Sequence, residues 1–349
     1  MRVIVATVRT PFIYGGAEVH AEGLVKALRA AGHEAELVWI PFNPSDAERI
    51  PDQMLACRLM DLRAIDGMTV DRVIALKFPA YLVEHPQKVV WLLHQHRAAY
   101  DLWEHALGGL RVAPRGRMVR DIIQRADRQM GTEARAIFSN SDNVARRLKE
   151  FCGIDSEPLY HPPAEAESFF CAETVDDFFF YPSRVSPTKR QDLVLRALAL
   201  TRQPVRLKFA GGADNAAYGK KMKELARELS VAGRVEWMGF VTDAQKREAY
   251  AHARAVVFPP LDEDYGYVTL EAMLASKAVI TCEDSGGPLE FVLPEETGLI
   301  APPTAEGLAA AMDALWEKPA RAGEYGRAAR RHYDEMNLSW SHVVEKLLA

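Results

Sequence analysis

Short apolar stretches alternate with amphipathic segments along the first half of the chain. Continuous apolar stretches predict buried strands, and apolar positions three or four residues apart predict helices. The predicted strands are Arg2–Val8, Glu34–Trp39, Val70–Ala75, Val89–Leu93 and Ala136–Ser139, and the predicted helices are Ala17–Ala31, Met54–Ile65 and Asn143–Phe151. Ser141 or Asp142 is expected to cap the last of these helices. The alternation indicates βαβ units and a parallel sheet.

The second half repeats this alternation after a segment, His161–Ser168, that has no apolar periodicity and that we interpret as a linker. Its predicted strands are Phe178–Tyr181, Arg206–Ala210, Val235–Gly239, Ala255–Phe258, Ala278–Thr281 and Leu299–Ala301. Its predicted helices are Lys189–Leu200, Ala217–Ala232, Ala244–Ala251, Val268–Ala275, Leu289–Val292 and Ala305–Trp316. The chain is therefore predicted to be an α/β protein with two Rossmann-like, doubly wound parallel-sheet domains, residues 1–163 and 164–325, that face a central cleft.

The composition is that of a globular protein with two domains of ordinary size. Of the 349 residues, 48% are hydrophobic and 26% are charged, so a disordered chain is not expected. The net charge of −5 argues against nucleic acid as the general partner. No stretch approaches the roughly 18 apolar residues of a membrane span.

The cysteines and the N-terminus favour a cytoplasmic protein. Cys57, Cys152, Cys171 and Cys282 are far apart and form no C-x-x-C pair, which is typical of reduced thiols. The N-terminal sequence MRVIVATV resembles the start of a signal peptide because a basic residue precedes apolar ones. Its apolar stretch is too short for a signal peptide and a helix follows it directly, so we interpret it as the first strand.

Two glutamates flank a glycine where a predicted strand passes into a predicted helix. Glu263 lies in the loop, Glu271 lies on the helix eight positions later, and Gly266 stands between them. The helix begins near Tyr267 and Val268, where unpaired N–H groups and the positive end of the helix dipole suit a phosphate. The glutamates are then predicted to bind neutral hydroxyl groups around that phosphate. The alternative is a solvated loop acid followed by a glutamate that the helix dipole stabilises.

Gly15 and Gly16 lie at the entrance of the first helix. A glycine turn between a strand and a helix could let a diphosphate approach backbone N–H groups, and an ordinary tight turn is the alternative. The sequence here is not G-x-G-x-x-G, so a dinucleotide site is not predicted.

His94 follows the strand Val89–Leu93 directly. Ligands collect beyond the carboxyl ends of parallel strands, so His94 is placed either for chemistry or as an ordinary loop residue. His96 stands two positions later, but no third or fourth ligand with suitable spacing follows. No metal site is therefore predicted.

Arg184 and Lys189 follow the first strand of the second half. Two cations at the carboxyl end of a strand suit a nucleotide diphosphate, and the alternative is a charged helix surface. Gly211, Phe240 and Val241 end later strands and are predicted to line the nucleotide pocket.

Residues 111–149 are locally basic, with ten Lys and Arg residues against four acidic ones. Apolar residues such as Met118 and Ile122 alternate with arginines at helical spacing, as on a helix that packs one face and exposes the other. The region is either a solvated face or a patch for an anionic acceptor, such as a lipid-linked diphosphate, or for anionic lipid headgroups.

The stretch E-D-Y-G-Y-V-T-L-E-A-M, which contains Glu263 and Glu271, resembles the E-x7-E signature of family 4 retaining glycosyltransferases. These proteins have the two-domain GT-B fold and use nucleotide-sugar donors. The sequence GGAE from Gly15 resembles the glycine loop of the family. The segment from Ser183 to Lys189 resembles its G-R-x-x-x-x-K motif, with Ser183 and Arg190 where the family commonly has glycine. The segment Asp284–Glu290 resembles its Gly-Gly segment, to which we assign only a loop-shaping role.

The resemblance implies a role for each matching residue. Glu271 is expected to bind ribose hydroxyls, and Glu263 to hold the sugar hydroxyls. Diphosphate stabilisation is assigned to Arg184, Lys189 and the N–H groups near Gly266, Tyr267 and Val268. His94 is expected to face the donor sugar near its reacting carbon, and residues 326–349 are expected to form a helix that crosses back to the first domain.

The implied activity is the retaining, metal-independent transfer of a hexose from a UDP- or GDP-sugar, without a cofactor, to a glycan or lipid-linked acceptor. Polysaccharide or glycoconjugate biosynthesis is the implied process, in a cytoplasmic protein that contacts the inner face of the plasma membrane peripherally through residues 111–149. The alternatives are a GT-B nucleotide-sugar epimerase or hydrolase and a non-catalytic subunit that binds a sugar nucleotide.

Overall fold

The structure is a computed structural model that describes all 349 residues. The chain forms two compact units, one of Met1–Ala164 with Ser339–Ala349 and the other of Glu165–Leu338. The first boundary lies close to the predicted one at residue 163. The second differs from the prediction, because a helix that ends at Glu335 still belongs to the second unit and only the last eleven residues from Ser339 return to the first.

The first unit is built on a parallel sheet whose strand order is β2-β1-β5-β6-β7-β8. The strands are β1 (Arg2–Arg9), β2 (Glu34–Pro41), β3 (Ala64–Ile65), β4 (Met68–Thr69), β5 (Arg72–Ala75), β6 (Lys88–Leu92), β7 (Ala136–Ser139) and β8 (Glu157–Pro158). The helices of its N-terminal part are α1 (Gly16–Ala30), α2 (Ile50–Arg58), α3 (Gly116–Glu133) and α4 (Asp142–Cys152). β3 and β4 form a separate antiparallel hairpin.

Strand β1, which lies between β2 and β5, is buried on both faces. Val3 and Val5 contribute to one apolar cluster with α1, and Ile4 and Ala6 contribute to the other cluster on the opposite face. This follows from the period of two in a strand, which sends successive side chains to opposite faces. A parallel sheet that is covered on both faces is the arrangement expected of a doubly wound domain.

The second unit has a parallel sheet with the order β11-β10-β9-β12-β13-β14. Its strands are β9 (Phe179–Pro182), β10 (Leu207–Ala210), β11 (Val235–Gly239), β12 (Ala255–Val257), β13 (Val279–Cys282) and β14 (Gly298–Ala301). Its helices are α5 (Gln191–Leu200), α6 (Ala216–Glu228), α7 (Asp243–His252), α8 (Tyr267–Leu274), α9 (Ala305–Glu317) and α10 (Pro319–Glu335), and the helix α11 (Trp340–Leu348) packs in the first unit. The prediction of two doubly wound parallel sheets is confirmed.

The strand order reverses direction between β9 and β12, which are neighbours in the second sheet. Such a switch point leaves a crevice outside the carboxyl ends of the two strands, because the loops after them turn to opposite faces of the sheet. The loop after β9 carries Arg184 and Lys189, and the loop after β12 carries Glu263. The topology therefore brings these predicted site residues to one place.

Two predicted helices are wrong. Met54–Ile65 is predicted as one helix, but α2 ends at Arg58 and Ala64–Ile65 forms β3. The cause is the turn Asp66–Gly67, in which both residues have positive φ, +48° and +74°, as a tight hairpin requires. The predicted helix Leu289–Val292 is only a short 3-10 turn, Gly287–Glu290.

Ser141 caps α4, since its side chain accepts a hydrogen bond from the N–H of Val144. No helix of the chain is both long enough and apolar enough to cross a bilayer.

All four cysteines are free. Burial raises the pKa of the Cys57 thiol and of the Cys282 thiol to about 12, so these two are poor nucleophiles at neutral pH.

A carboxyl group is buried in the core of the first unit. Asp127 on α3 is fully buried and accepts hydrogen bonds of 2.7 Å from the hydroxyls of Tyr81 and Tyr100. Burial raises the pKa of Asp127 to about 6, although the two hydrogen bonds oppose this shift. The native protein therefore binds a proton at Asp127 at a higher pH than the unfolded chain does.

Asp127→Asn is expected to change how stability depends on pH. Between about pH 6 and pH 4 the native state takes up a proton at Asp127 that the unfolded state does not, so wild type gains about 2–3 kcal/mol relative to the variant as the pH falls from 7 to 4. Urea unfolding of both proteins across this range measures the difference. Parallel curves of unfolding free energy against pH would contradict this assignment.

Candidate functional site

Lys189 and Glu263 form an ion pair where the loops after β9 and β12 meet, Nζ of the lysine against Oε2 of the glutamate. The two side chains are only 14% and 24% exposed, so water screens their attraction less than on an open surface. The lysine Nζ also lies 5.6 Å from the ring centre of Phe258. A cation and a carboxylate are thus held side by side at the switch point of the sheet.

The backbone of the Glu263 loop is fixed by the segment Asp284–Glu290. The N–H of Glu263 donates to the carbonyl of Ser285, and the N–H of Gly287 donates to the carbonyl of Glu263, both at 2.8 Å. A Cβ atom on Gly287 would lie 2.6 Å from the carbonyl oxygen of Tyr265. Only glycine allows this approach, which explains the second glycine of the Gly-Gly segment.

Arg190 joins three segments of the site. It stands just before α5 with a left-handed φ of +53°, a conformation that glycine adopts more readily. Its guanidinium donates to both carboxylate oxygens of Asp284, at 2.7 and 2.8 Å, and its Nε donates to the carbonyl of Pro259 at 2.7 Å. The arginine that replaces the family's glycine therefore clamps the loops after β12 and β13 to the start of α5.

Arg184 lies at the edge of this site. Its Nη1 is 2.7 Å from Oδ1 of Asp214, and its side chain is 47% exposed. A Cβ atom on Gly211 would lie 2.2 Å from the carbonyl oxygen of Ser183, so the close backbone approach in this region depends on Gly211. Ser183 is accommodated where the family commonly has glycine.

Sequence reasoning missed Gln191, which fixes the loop that carries Arg184. Gln191 is fully buried, and its Nε2 donates to the carbonyl of Arg184 at 2.9 Å. Its Oε1 accepts from the N–H of Ser186 at 3.3 Å. A polar residue in the first turn of an otherwise apolar helix face was the available signal.

Gly266 starts the helix that carries Glu271. Its φ is +92°, and a Cβ atom there would lie 3.0 Å from the Pro288 ring, so the site favours glycine for two reasons. α8 begins at Tyr267 immediately afterwards. Tyr267 and Val268 therefore occupy the N-terminal turn, as predicted, where the helix dipole attracts negative charge.

The carboxylate of Glu271 is held from both sides by α7. Nζ of Lys246 lies 2.8 Å from Oε1, and the hydroxyl of Tyr250 donates to Oε2 at 2.8 Å. The glutamate side chain is 13% exposed. Sequence reasoning missed both partners, although their spacing of four residues on a helix was visible.

Gly239, Phe240 and Val241 connect β11 to α7. Gly239 has a φ of +66°, and the Phe240 side chain is 91% exposed. The next residue but one, Thr242, begins a capping box with Gln245 that fixes the start of α7. The predicted pocket residue Phe240 is thus a solvent-facing aromatic ring at the carboxyl edge of the second sheet.

His94 lies after β6, at the carboxyl edge of the first sheet. Its Nδ1 is 2.7 Å from the carbonyl oxygen of Gln95, and a carbonyl can only accept, so Nδ1 carries a proton.

His96 packs against Phe78, with ring centres 5.1 Å apart, and burial lowers its pKa to about 4. No group of three or more His, Cys, Asp or Glu side chains in the chain could hold a metal ion.

Gly15 and Gly16 begin α1 at the same edge of the first sheet. The N–H of Gly15 donates to Oε2 of Glu18 at 2.8 Å, as in a capping box. This N–H is therefore engaged within the helix cap, and a phosphate contact of the glycine pair stays a prediction, as does the role of His94.

The basic region is less uniformly exposed than predicted. Arg117 and Arg125 are exposed on α3. Arg120 instead donates to the carbonyl of Ala99 at 2.9 Å and lies over the Trp103 ring. The charged face of α3 is therefore narrower than the arginine spacing suggested.

Comparison with known proteins identifies the second unit. Residues 170–332 match the family described as Glycosyl transferases group 1. The D-inositol 3-phosphate glycosyltransferase of Rhodococcus opacus is 31% identical over 184 residues, which are 50% of this chain and 40% of that protein. The alpha-maltose-1-phosphate synthase of Mycobacterium tuberculosis is 28% identical over 97% of this chain and 95% of that protein.

The chain spans 40% and 54% of the length of two D-inositol 3-phosphate glycosyltransferases that it matches. The sucrose-phosphate synthase of Thermosynechococcus elongatus has a similar structure, with a TM-score of 0.81 at 18% identity over 99% of this chain and 97% of that one. At this identity the structural likeness shows the fold. Residues 170–332 are thus similar to the group 1 glycosyltransferases, and the chain has the GT-B fold that its E-x7-E motif predicts.

Proposed function

We propose that the protein transfers a hexose from a nucleotide diphosphate sugar, with retention at the anomeric carbon, to a glycan or lipid-linked acceptor. The observation that carries the proposal is the contact between Lys189 and Glu263 at the switch point, close in sequence to the start of α8. A cation suits the diphosphate and a carboxylate suits the hydroxyls of the sugar. The bond between sugar and diphosphate would then lie where these two side chains meet.

Charge that develops on the departing diphosphate is stabilised by groups that are already in place. Lys189 is held by its contacts with Glu263 and Phe258, and the N-terminal turn of α8 adds the positive end of a dipole. Arg184 adds a half-exposed cation at the edge. Preorganised donors and charges of this kind are often the largest contribution to catalysis. The chemistry therefore requires no metal ion.

Retention is explained by attack of the acceptor on the same face of the sugar that the diphosphate leaves. Glu263 has one carboxylate oxygen bound to Lys189 and acts in this scheme as a hydrogen-bond acceptor for the sugar. The alternative is a covalent intermediate on Glu263. A trapped glycosyl adduct on Glu263 would overturn the same-face scheme.

The acceptor is proposed to belong to polysaccharide or glycoconjugate biosynthesis at the cytoplasmic side of a membrane. Arg117 and Arg125 on α3 are exposed, and the neighbouring apolar side chains Val112 and Met118 are 87% and 48% exposed. Exposed cations beside exposed apolar groups favour the surface of an anionic bilayer. These four side chains support the proposal of peripheral membrane contact.

Glu271→Ala is expected to weaken donor binding at least about tenfold, because it removes a charged acceptor for ribose hydroxyls. Calorimetric titration with UDP-, GDP- and ADP-sugars, without divalent metal and then with it, measures the loss and names the donor. Glu228→Ala, on the exposed side of α6, is the matched control. Absence of binding to wild type, or binding only with metal, would contradict the donor site.

Lys189→Met is expected to lower kcat by about 10²–10³, because the developing charge loses its cation. Donor turnover is followed with and without an acceptor fraction extracted from cells, and Lys223→Met on α6 is the control. Turnover by wild type without any acceptor would favour an epimerase or hydrolase. Donor binding with no turnover under either condition would favour a non-catalytic subunit.

Charge reversal at Arg117 and Arg125 together is expected to weaken vesicle binding about tenfold or more at low salt, since each cation near an anionic surface contributes about 1 kcal/mol. Sedimentation with vesicles of phosphatidylglycerol and phosphatidylcholine measures binding. Reversal at Lys220 and Lys221, which are exposed on the second unit, is the control. Equal binding of both double variants and wild type would remove the membrane proposal.

A further inference from the structure

The carboxylate of Glu271 is aimed by two donors from one helix. We propose that Lys246, together with Tyr250, is a positioning residue that directs this carboxylate at a ribose and so makes the site select ribonucleotides over 2′-deoxyribonucleotides. This inference rests on the proposed function, because it takes the bound molecule to be a nucleotide. It concerns residues outside the E-x7-E motif.

Lys246 and Tyr250 are four residues apart on α7 and therefore lie on the same helix face. The lysine Nζ lies 2.8 Å from Oε1 of Glu271, and the tyrosine hydroxyl lies 2.8 Å from Oε2. Each carboxylate oxygen thus has one donor. A carboxylate that is bound at both oxygens cannot rotate about its terminal bond without breaking a hydrogen bond.

The tyrosine that holds Glu271 is itself tightly packed. Tyr250 is fully buried, and its ring packs against Phe180 and Phe169, with ring centres 5.0 and 5.8 Å apart. Burial and the neighbouring Glu271 raise the pKa of Tyr250 well above its usual value, so its hydroxyl keeps the proton that it donates. Hydrogen bonds that are shielded from water are stronger than exposed ones, so they fix the orientation of a side chain better.

The lone pairs of Glu271 that are not bonded to α7 match the two adjacent hydroxyls of a ribose. A carboxylate offers about four lone-pair positions, and the two donors from α7 occupy two of them. Two positions remain, one on each oxygen of Glu271, for the adjacent 2′ and 3′ hydroxyls of a ribose. A 2′-deoxyribose would leave one buried acceptor without its partner, which costs binding free energy.

The positive charge of Lys246 also affects how Glu271 interacts with a diphosphate. Without a cation, Glu271 would add a negative charge near a negatively charged ligand and repel it. Asp243 is the other acid near Lys246, but its closest oxygen is 4.0 Å away and its side chain is 79% exposed. Lys246 therefore acts mainly on Glu271.

Helix α7 links this carboxylate to the loop that carries Phe240 and Val241. The helix follows that loop directly, and the capping box of Thr242 and Gln245 fixes the junction. The loop that is predicted to line the nucleotide pocket and the two donors to Glu271 are therefore joined through the start of α7. One helix would then connect that part of the pocket to the ribose contact.

The test compares a nucleoside diphosphate with its 2′-deoxy form, using calorimetric titration of the full-length protein. UDP, GDP and ADP are titrated first, and the tightest ligand is paired with its deoxy counterpart. Wild type is expected to bind the ribonucleotide at least about tenfold more tightly. In Lys246→Met the ratio is expected to fall below about threefold, whereas Lys246→Arg and the exposed control Lys223→Met keep the wild-type ratio.

A purely structural ion pair would change the melting temperature but not this ratio. If wild type discriminates and Lys246→Met does so equally, the positioning role is overturned while donor binding stands. If wild type binds no nucleoside diphosphate, the proposed function fails first. If Lys246→Met does not fold, Tyr250→Phe decides, since it removes only a hydroxyl: a reduced ratio supports the role, and an unchanged ratio overturns it.

Discussion

The contact between Lys189 and Glu263 depends on a topological constraint of the second sheet. β9 and β12 are sequence-distant neighbours at a point where the strand order reverses, so the loops after them converge and bring the lysine to the glutamate. The surrounding polar contacts hold the loops in this arrangement. Arg190 and the segment Asp284–Glu290 tie the Glu263 loop in place, so the two charges of the contact are already positioned in the folded protein.

The second glutamate of the motif depends on a different element. Glu271 is placed by α8, whose start requires the positive φ of Gly266, and its carboxylate is oriented by donors from α7. One glutamate is thus fixed through backbone pairing of its loop and the other through side-chain hydrogen bonds. Two independent attachments suit a nucleotide sugar, because its sugar and its nucleoside both have to be held while the bond between the sugar and the diphosphate breaks.

The sequence allowed the two parallel sheets and the order of the motifs to be predicted, because apolar periodicity and strand-end residues are local signals. The turn Asp66–Gly67 was also visible, and overlooking it extended one helix too far. The clamp of Arg190 on Asp284 could not be predicted, since 94 residues separate the partners. The inward orientation of Arg120 depends in the same way on Trp103, which the helical spacing of the arginines does not reveal.

In the proposed mechanism Lys189 binds the diphosphate and Glu263 binds the sugar, so the bond that breaks lies where these two side chains meet. The most direct measurement is calorimetric binding of a nucleoside diphosphate and of the matching nucleotide sugar to wild type, Lys189→Met and Glu263→Gln. We expect Lys189→Met to weaken binding of both ligands, and Glu263→Gln to weaken binding of the nucleotide sugar but not of the nucleoside diphosphate. Equal weakening of both ligands by Glu263→Gln would contradict this mechanism.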